Sequence, residues 1–329
     1  MSRRRATLNE GAAVVLKLVT QRLGLGVLTL FGASVLIFAG TELMPGDLAS
    51  SILQNSATPE NLAALRSQLG LDRPATVRFV EWLLGALRGD FGHSLANGRD
   101  VLTEIAPRFA NTMFLAAYAA IVSVPLAVGL GVLAAIRQGG WFDRLINLVT
   151  LMTISVPEFF LAYVLITYVA VDLGWFPSLA NVSPDMGLGD RLYYAFLPML
   201  TLVLVIVAHM MRMTRASVLA VMASPYIEMA TLKGLTKARI VVRHALPNAL
   251  APIISVIALD LAYLIVGVVV VETVFVYPGL GQLMVDETSK HDVPVVQACG
   301  LIFAATFILF NLIADILAIL SNPRLRQPR

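Results

Sequence analysis

The chain reads as an all-α integral membrane protein, and three observations predict it. Hydrophobic residues make up 58% of the sequence and charged residues only 14%, with a mean hydropathy of +0.80. Six apolar stretches approach the roughly 20 residues that cross a bilayer. These stretches are continuous rather than alternating, which argues against a membrane β-barrel. In lipid every backbone N–H and C=O needs an internal partner, so each stretch is expected to be a helix.

Residues 1–22 form a basic segment ahead of the first span, 23–41. No small-residue cleavage site follows that span, so it reads as a retained helix rather than a removed signal peptide. Residues 42–111 are then the longest polar piece. Within it, 59–69 has apolar residues at helical spacing and Gly70 ends it, and Arg78 to Leu87 is a second short amphipathic helix closed by Gly89. Such helices either cap a bundle or offer a docking surface. A core of five further helices fills 112–320, with spans at 112–136, 145–171, 195–213, 253–276 and 296–320, and a tail at 321–329. Pro125 and Pro157 fall inside spans, where proline is better tolerated than in soluble helices. Of the 24 Lys and Arg residues, 16 lie at the two ends and in the even-numbered connections. The positive-inside rule then puts both termini in the cytoplasm. The net charge of +3 follows from that bias and implies no nucleic-acid partner.

A polar, basic connection at 214–252 separates the fourth and fifth spans. Ser224-Pro225 has the form of a helix start, Ser capping free N–H groups and Pro fitting the first helical position. Glu228 falls in the first turn, where the helix dipole favours negative charge. Gly234 permits a bend, and Lys237 to Ala245 can begin a second helix before Pro247. The residues leave two readings open: an elbow that docks a partner, or a connector lying on the headgroups.

Chemistry-bearing motifs are few. No Gly-x-x-x-x-Gly-Lys-Ser/Thr loop occurs, so the chain lacks this phosphate cradle for ATP. Gly129-x-Gly131-x-x-Ala134 has dinucleotide-loop spacing but sits in a span, where small residues serve helix packing. His93, His209, His244 and His291 are scattered, and the single Cys299 excludes an internal disulfide or a cysteine metal cluster. Two carboxylates stand out: Glu158, directly after Pro157 in the third span, and Asp260 in the fifth. A charge at such depth is costly unless paired or facing water. Either a structural pair or an acidic translocation path accounts for them. The Pro278-Gly279-Leu280-Gly281 turn is expected to use glycine for dihedrals that other residues cannot adopt, as are Gly89 and Gly92.

Glu228-Met229-Ala230, Gly234 and Ala245-Leu246-Pro247-Asn248 resemble the EAA loop of permease subunits of bacterial ATP-binding-cassette importers, with Met229 where Ala is usual. Met44-Pro45-Gly46-Asp47, Leu69-Gly70-Leu71-Asp72-Arg73-Pro74 and Gly89-Asp90-Phe91-Gly92-His93-Ser94 are similar to successive signatures of its dipeptide/oligopeptide/nickel subfamily. Glu272 to Gly281, Asp292 to Gln297 and, loosely, Asp315 to Arg324 continue the series, with Ala318 and Asn322 departing from it. The resemblance implies a type I importer permease: six transmembrane helices, a large outer loop after the first, and a cytoplasmic coupling-helix loop between the fourth and fifth. Glu228, Ala230, Lys233, Gly234 and Leu235 would couple to the ATPase. Glu272 and Asp315 would serve helix-end or inter-subunit packing. Glu158 departs from the uncharged residue usual there and, with Asp260, would line a path suited to cationic cargo. Implied partners are a second homologous permease, two cytoplasmic ATPase subunits and an external substrate-binding protein, in a bacterial inner membrane. No cofactor is expected on this chain, ATP and Mg being held by the partners, and the chain itself is expected not to be an enzyme. The expected cargo is a peptide or peptide-like solute, with nickel or a nickel chelate as the alternative. An ion-gradient-driven secondary transporter is the rival of another class; it would show internal repeats, and none is evident.

Overall fold

A computed structural model of the chain describes residues 2–44, 58–68, 72–183 and 185–321. Every element in these residues is helical: α1 (Ser2–Glu42), α2 (Pro59–Gln68), α3 (Ala75–Leu87), α4 (Val101–Ile136), α5 (Trp141–Ser155), α6 (Glu158–Leu165, continuing as a π-turn to Asp172), α7 (Leu188–Tyr194), α8 (Phe196–Met222), α9 (Pro225–Leu232), α10 (Lys237–Ile240), α11 (Leu246–Phe275), α12 (Leu280–Lys290) and α13 (Val293–Ser321). Five stretches are long and apolar enough to span a membrane, Lys17–Glu42, Val101–Ile136, Phe196–Met222, Lys237–Phe275 and Val293–Ile319. The bent pair α5–α6 makes up to six spans.

Three of the differences from the sequence reading bear on the site. α4 starts at Val101 rather than 112, because Asp100 caps it: its carboxylate accepts the Thr103 N–H at 2.9 Å. The third span is not one helix over 145–171. It breaks at Val156-Pro157, and the two halves meet at 103°. Pro157 cannot donate into the preceding turn and holds Val156 extended. Lastly, the arm from Lys237 does not stop before Pro247. A π-turn over Val241–Ala245 carries it directly into α11, the wider register accommodating a proline that lacks its N–H.

Packing follows the small residues. α4 lies along α8, α8 along α11, α11 along α13, and α13 along α1. At the α4–α8 crossing a Cβ on Gly131 would stand 2.7 Å from the Met211 carbonyl and 2.8 Å from Thr214 Cβ. Only glycine permits that approach. The main core joins Leu115 and Ala119 of α4, Leu202 and Met210 of α8, and Leu264 and Val268 of α11.

One end of the bundle, the turn end, carries α3, residues 88–100 and the α11–α12 and α12–α13 turns. Buried hydrogen bonds fasten it. Asp292 accepts from the Leu95 and Ala96 N–H groups at 3.2 Å each, and also from the Ser94 hydroxyl. Gln297 donates to Thr41 at 2.8 Å. The signature around Gly89–Ser94 and that around Asp292–Gln297 are thus two halves of one joint. The opposite, elbow end carries α9 and α10.

Candidate functional site

At the elbow end α9 lies across the ends of α8 and α11. Ser224 does not cap it with its side chain: the hydroxyl turns back and donates to the Val221 carbonyl at 2.5 Å, which also accepts the Ser224 N–H at 3.0 Å. The stop of α9 is a Schellman motif on Gly234, which has φ +77°. Its N–H bonds Thr231 at 2.9 Å and the Leu235 N–H bonds Ala230 at 3.3 Å. Ile227 and Ala230 are buried against Val218, Ile240, Val241 and Ala249, with Leu235 packed on the same cluster.

Of the five residues the sequence singled out here, Glu228, Lys233 and Gly234 are exposed, Ala230 is buried and Leu235 is half-buried. Ala230 and Leu235 therefore fix the elbow, while the outward face also carries residues that the reading did not assign to coupling. Tyr226, Met229 and Leu232 are 46–76% exposed and recur every third residue along the helix. That spacing was the available signal. Their face points away from the buried Ile227 and Ala230 and forms an apolar patch between Glu228 and Lys233.

Within the bundle, the break after Pro157 makes Glu158 the first residue of α6. Its carboxylate rests on α11 over Gly267, where a Cβ would come within 3.1 Å of Oε1 and 3.3 Å of Oε2. Among the described residues Glu158 takes part in no side-chain hydrogen bond or ion pair. Asp260, buried on α11, has a partner that the sequence did not reveal: His209 of α8, whose Nδ1 lies 2.8 Å from Oδ1. Its Oδ2 is buried and has no partner among the described residues. Asp260 and Gly267 are two turns apart on one face of α11, about 10 Å along the axis. The two acidic residues thus share a single stripe of α11, approached by α8 at one level and α6 at the other.

Glu272 and Asp315 are intrachain fixtures. The buried Glu272 carboxylate accepts from the Thr112 hydroxyl at 2.6 Å and from the Gly281 and Gln282 N–H groups at 2.7 and 3.3 Å. This corrects the expected role of the nearby glycines. Gly279 has φ −102°, open to any residue. What requires glycine is space, since a Cβ there would collide with the Glu272 carboxylate, and one on Gly281 would stand 2.7 Å from Val269 Cα. Gly89 and Gly92 do occupy the left-handed region, at φ +80° and +76°. Near Glu272, the Tyr277 hydroxyl donates to the Asn111 carbonyl at 2.9 Å, and burial holds its pKa well above the usual phenol range. Asp315 pairs with Arg22 at 3.0 Å, joining α13 to α1. Asn322 to Arg324 of the closing signature lie outside the described residues.

The family model described as binding-protein-dependent transport system inner membrane component matches residues 127–327. Its N-terminal companion matches residues 15–116. The glutathione transport system permease protein GsiC of Escherichia coli (strain K12) is 38% identical over 313 residues, covering 95% of this chain and 99% of that protein. A probable peptide ABC transporter permease protein, y4tP of Sinorhizobium fredii (strain NBRC 101917 / NGR234), is 37% identical over 89% of this chain and 93% of its own. A solved inward-facing MetNI methionine ABC transporter superposes with a TM-score of 0.47 at 19% identity, over 65% of this chain and 92% of that one. With both family models matched along nearly its whole length, the chain belongs to the binding-protein-dependent transport system inner membrane component family and is a multi-pass, all-helical permease subunit of an ATP-binding-cassette importer.

Proposed function

We propose that this permease imports peptides or peptide-like solutes, handed to its turn end by an external binding protein and driven by ATPase subunits docked on α9. The observation that carries the drive is the patch of Tyr226, Met229 and Leu232. A short helix with an exposed apolar face, anchored through Ile227 and Ala230 to both α8 and α11, is suited to receive force from a protein in water. Glu228 and Lys233 flank the patch and steer the partner. Gly234 holds the bend, and Ala230 and Leu235 tie it to the spans. The excess of Lys and Arg at this end supports a cytoplasmic orientation for it and for both termini.

Peptide cargo is supported by the names of the relatives and by the acidic stripe of α11, where Glu158 and Asp260 can meet the ammonium groups of a solute. A second homologous permease completes the path, and Mg and ATP are bound by two partner ATPases. The test is reconstitution of the chain with its permease and ATPase partners and its binding protein. Uptake of peptide into proteoliposomes should require ATP, Mg and the binding protein together. Uptake that follows a proton gradient and ignores ATP would overturn the assignment.

A further inference from the structure

α3 is apolar over more of its surface than one packing face needs. At about 100° per residue, Phe79, Trp82, Leu83 and Ala86 fall on one arc, and this arc meets α1. Phe79 stands edge-on to Phe31 and Phe38, at 6.3 and 5.3 Å between ring centroids, and Trp82 lies 6.1 Å from Phe38. Arg78 reaches Glu42 at the end of α1, at 2.6 Å. A second arc carries Val77, Val80, Leu84 and Leu87, all 40–75% exposed. Beside it, Glu81 and Arg88 are exposed on one flank only.

The surroundings of that second arc identify its occupant. Phe31 belongs to the apolar span of α1 and is itself half exposed, together with Val27, Leu28 and Val35. α3 crosses α1 at this exposed surface, so its outer arc extends the lipid-facing side of a membrane span. Its charges are gathered on one flank and its aliphatic residues on the other, as a water–hydrocarbon boundary demands. We propose that α3 is an interfacial helix lying in the membrane plane, with Val77, Val80, Leu84 and Leu87 among the acyl chains and Glu81 and Arg88 in water. The middle of the long polar segment, α3, is on this account a lipid anchor for α1, and it is withdrawn from the surface open to a binding protein.

Cys299 is the only cysteine in the sequence and is fully buried, so a nitroxide reagent reaches introduced cysteines selectively. Val77→Cys, Val80→Cys, Leu84→Cys and Leu87→Cys are to be labelled in the complete transporter, in vesicles of phosphatidylethanolamine and phosphatidylglycerol, alongside Glu81→Cys and Arg88→Cys. The expected result is that molecular oxygen relaxes the first four labels more than a water-soluble nickel chelate does, with the order inverted at 81 and 88. Chelate dominance at all six positions would put the stripe in water. Exclusion of both reagents from the stripe would put a protein partner over it. Either outcome overturns the proposal. Loss of one variant to misassembly leaves the contrast between flanks readable at the remaining positions.

Discussion

Glu158 begins a helix instead of sitting in the middle of one. Pro157 was legible in the sequence as a disturbance, but the size of the turn was not, because a proline in a span kinks or breaks it according to what neighbouring helices can receive. The outcome leaves a carboxylate over Gly267 with no hydrogen-bond or ion-pair partner among the described residues. Glu158→Gln keeps the shape and removes the charge. Uptake of cationic peptides should fall on the order of tenfold, equivalent to about 1.4 kcal/mol, while neutral peptides and complex assembly change little. Equal loss for all cargoes, with lower detergent stability, would assign the residue to structure alone. His209 was illegible as the partner of Asp260 because 51 residues separate them and nothing in either span marks which faces meet. Gly279 and Gly281 were recognised as necessary for the wrong reason. A dihedral requirement can be guessed from a turn motif, whereas the approach of a buried carboxylate from Glu272 depends on packing that no local pattern encodes.

Among the elements, the elbow was the best foreseen and was still mistaken in one arm. Pro225 at the start, Glu228 in the first turn and Gly234 at the stop are local signals, and local signals survive into the structure. Pro247 misled, because a π-turn absorbs it and the helix runs on. The bend itself depends on Gly234 at φ +77°. Proline fixes φ near −65° and lacks the N–H that bonds Thr231, so Gly234→Pro breaks the Schellman motif without touching a span. ATP-driven uptake should drop to background while the membrane level of the protein holds. Gly234→Asn, which tolerates the left-handed region, should keep most of the activity. Normal uptake by the proline variant in proteoliposomes would mean that this elbow does not carry the drive.

For the molecule as a whole, the number and order of the spans were legible because lipid imposes length and apolarity on each. How the spans are fastened was not. Near the elbow end, α5 is riveted to α8 by a pair of a buried carboxylate and a half-buried guanidinium: Arg215 Nε and Nη2 donate to the two carboxylate oxygens of Asp143 at 2.7 and 2.9 Å, and the Gly139 N–H donates to it at 2.9 Å. Removing one member of such a pair leaves the other uncompensated, at a cost of about 3–5 kcal/mol. Asp143→Asn should therefore lower the thermal midpoint of the purified complex clearly, with α5 and the broken third span loosening first by hydrogen exchange. An unchanged midpoint would show that α5 is held by its apolar contacts.

The uninterrupted run from Lys237 to Phe275 has a mechanical meaning. It contains 39 residues, a rod about 58 Å long. One end is rooted in the elbow, and Glu272 clamps the other to Thr112 and the start of α12. Asp260 lies close to the middle, where His209 holds it. A tilt of about 10° around that point would carry the elbow end roughly 6 Å and the other end roughly 4 Å in opposite directions, while the pivot stays almost still. If α9 receives a push, as proposed above, the Asp260–His209 contact is placed to act as its fulcrum, and the Gly279–Gly281 turn would swing the opposite way.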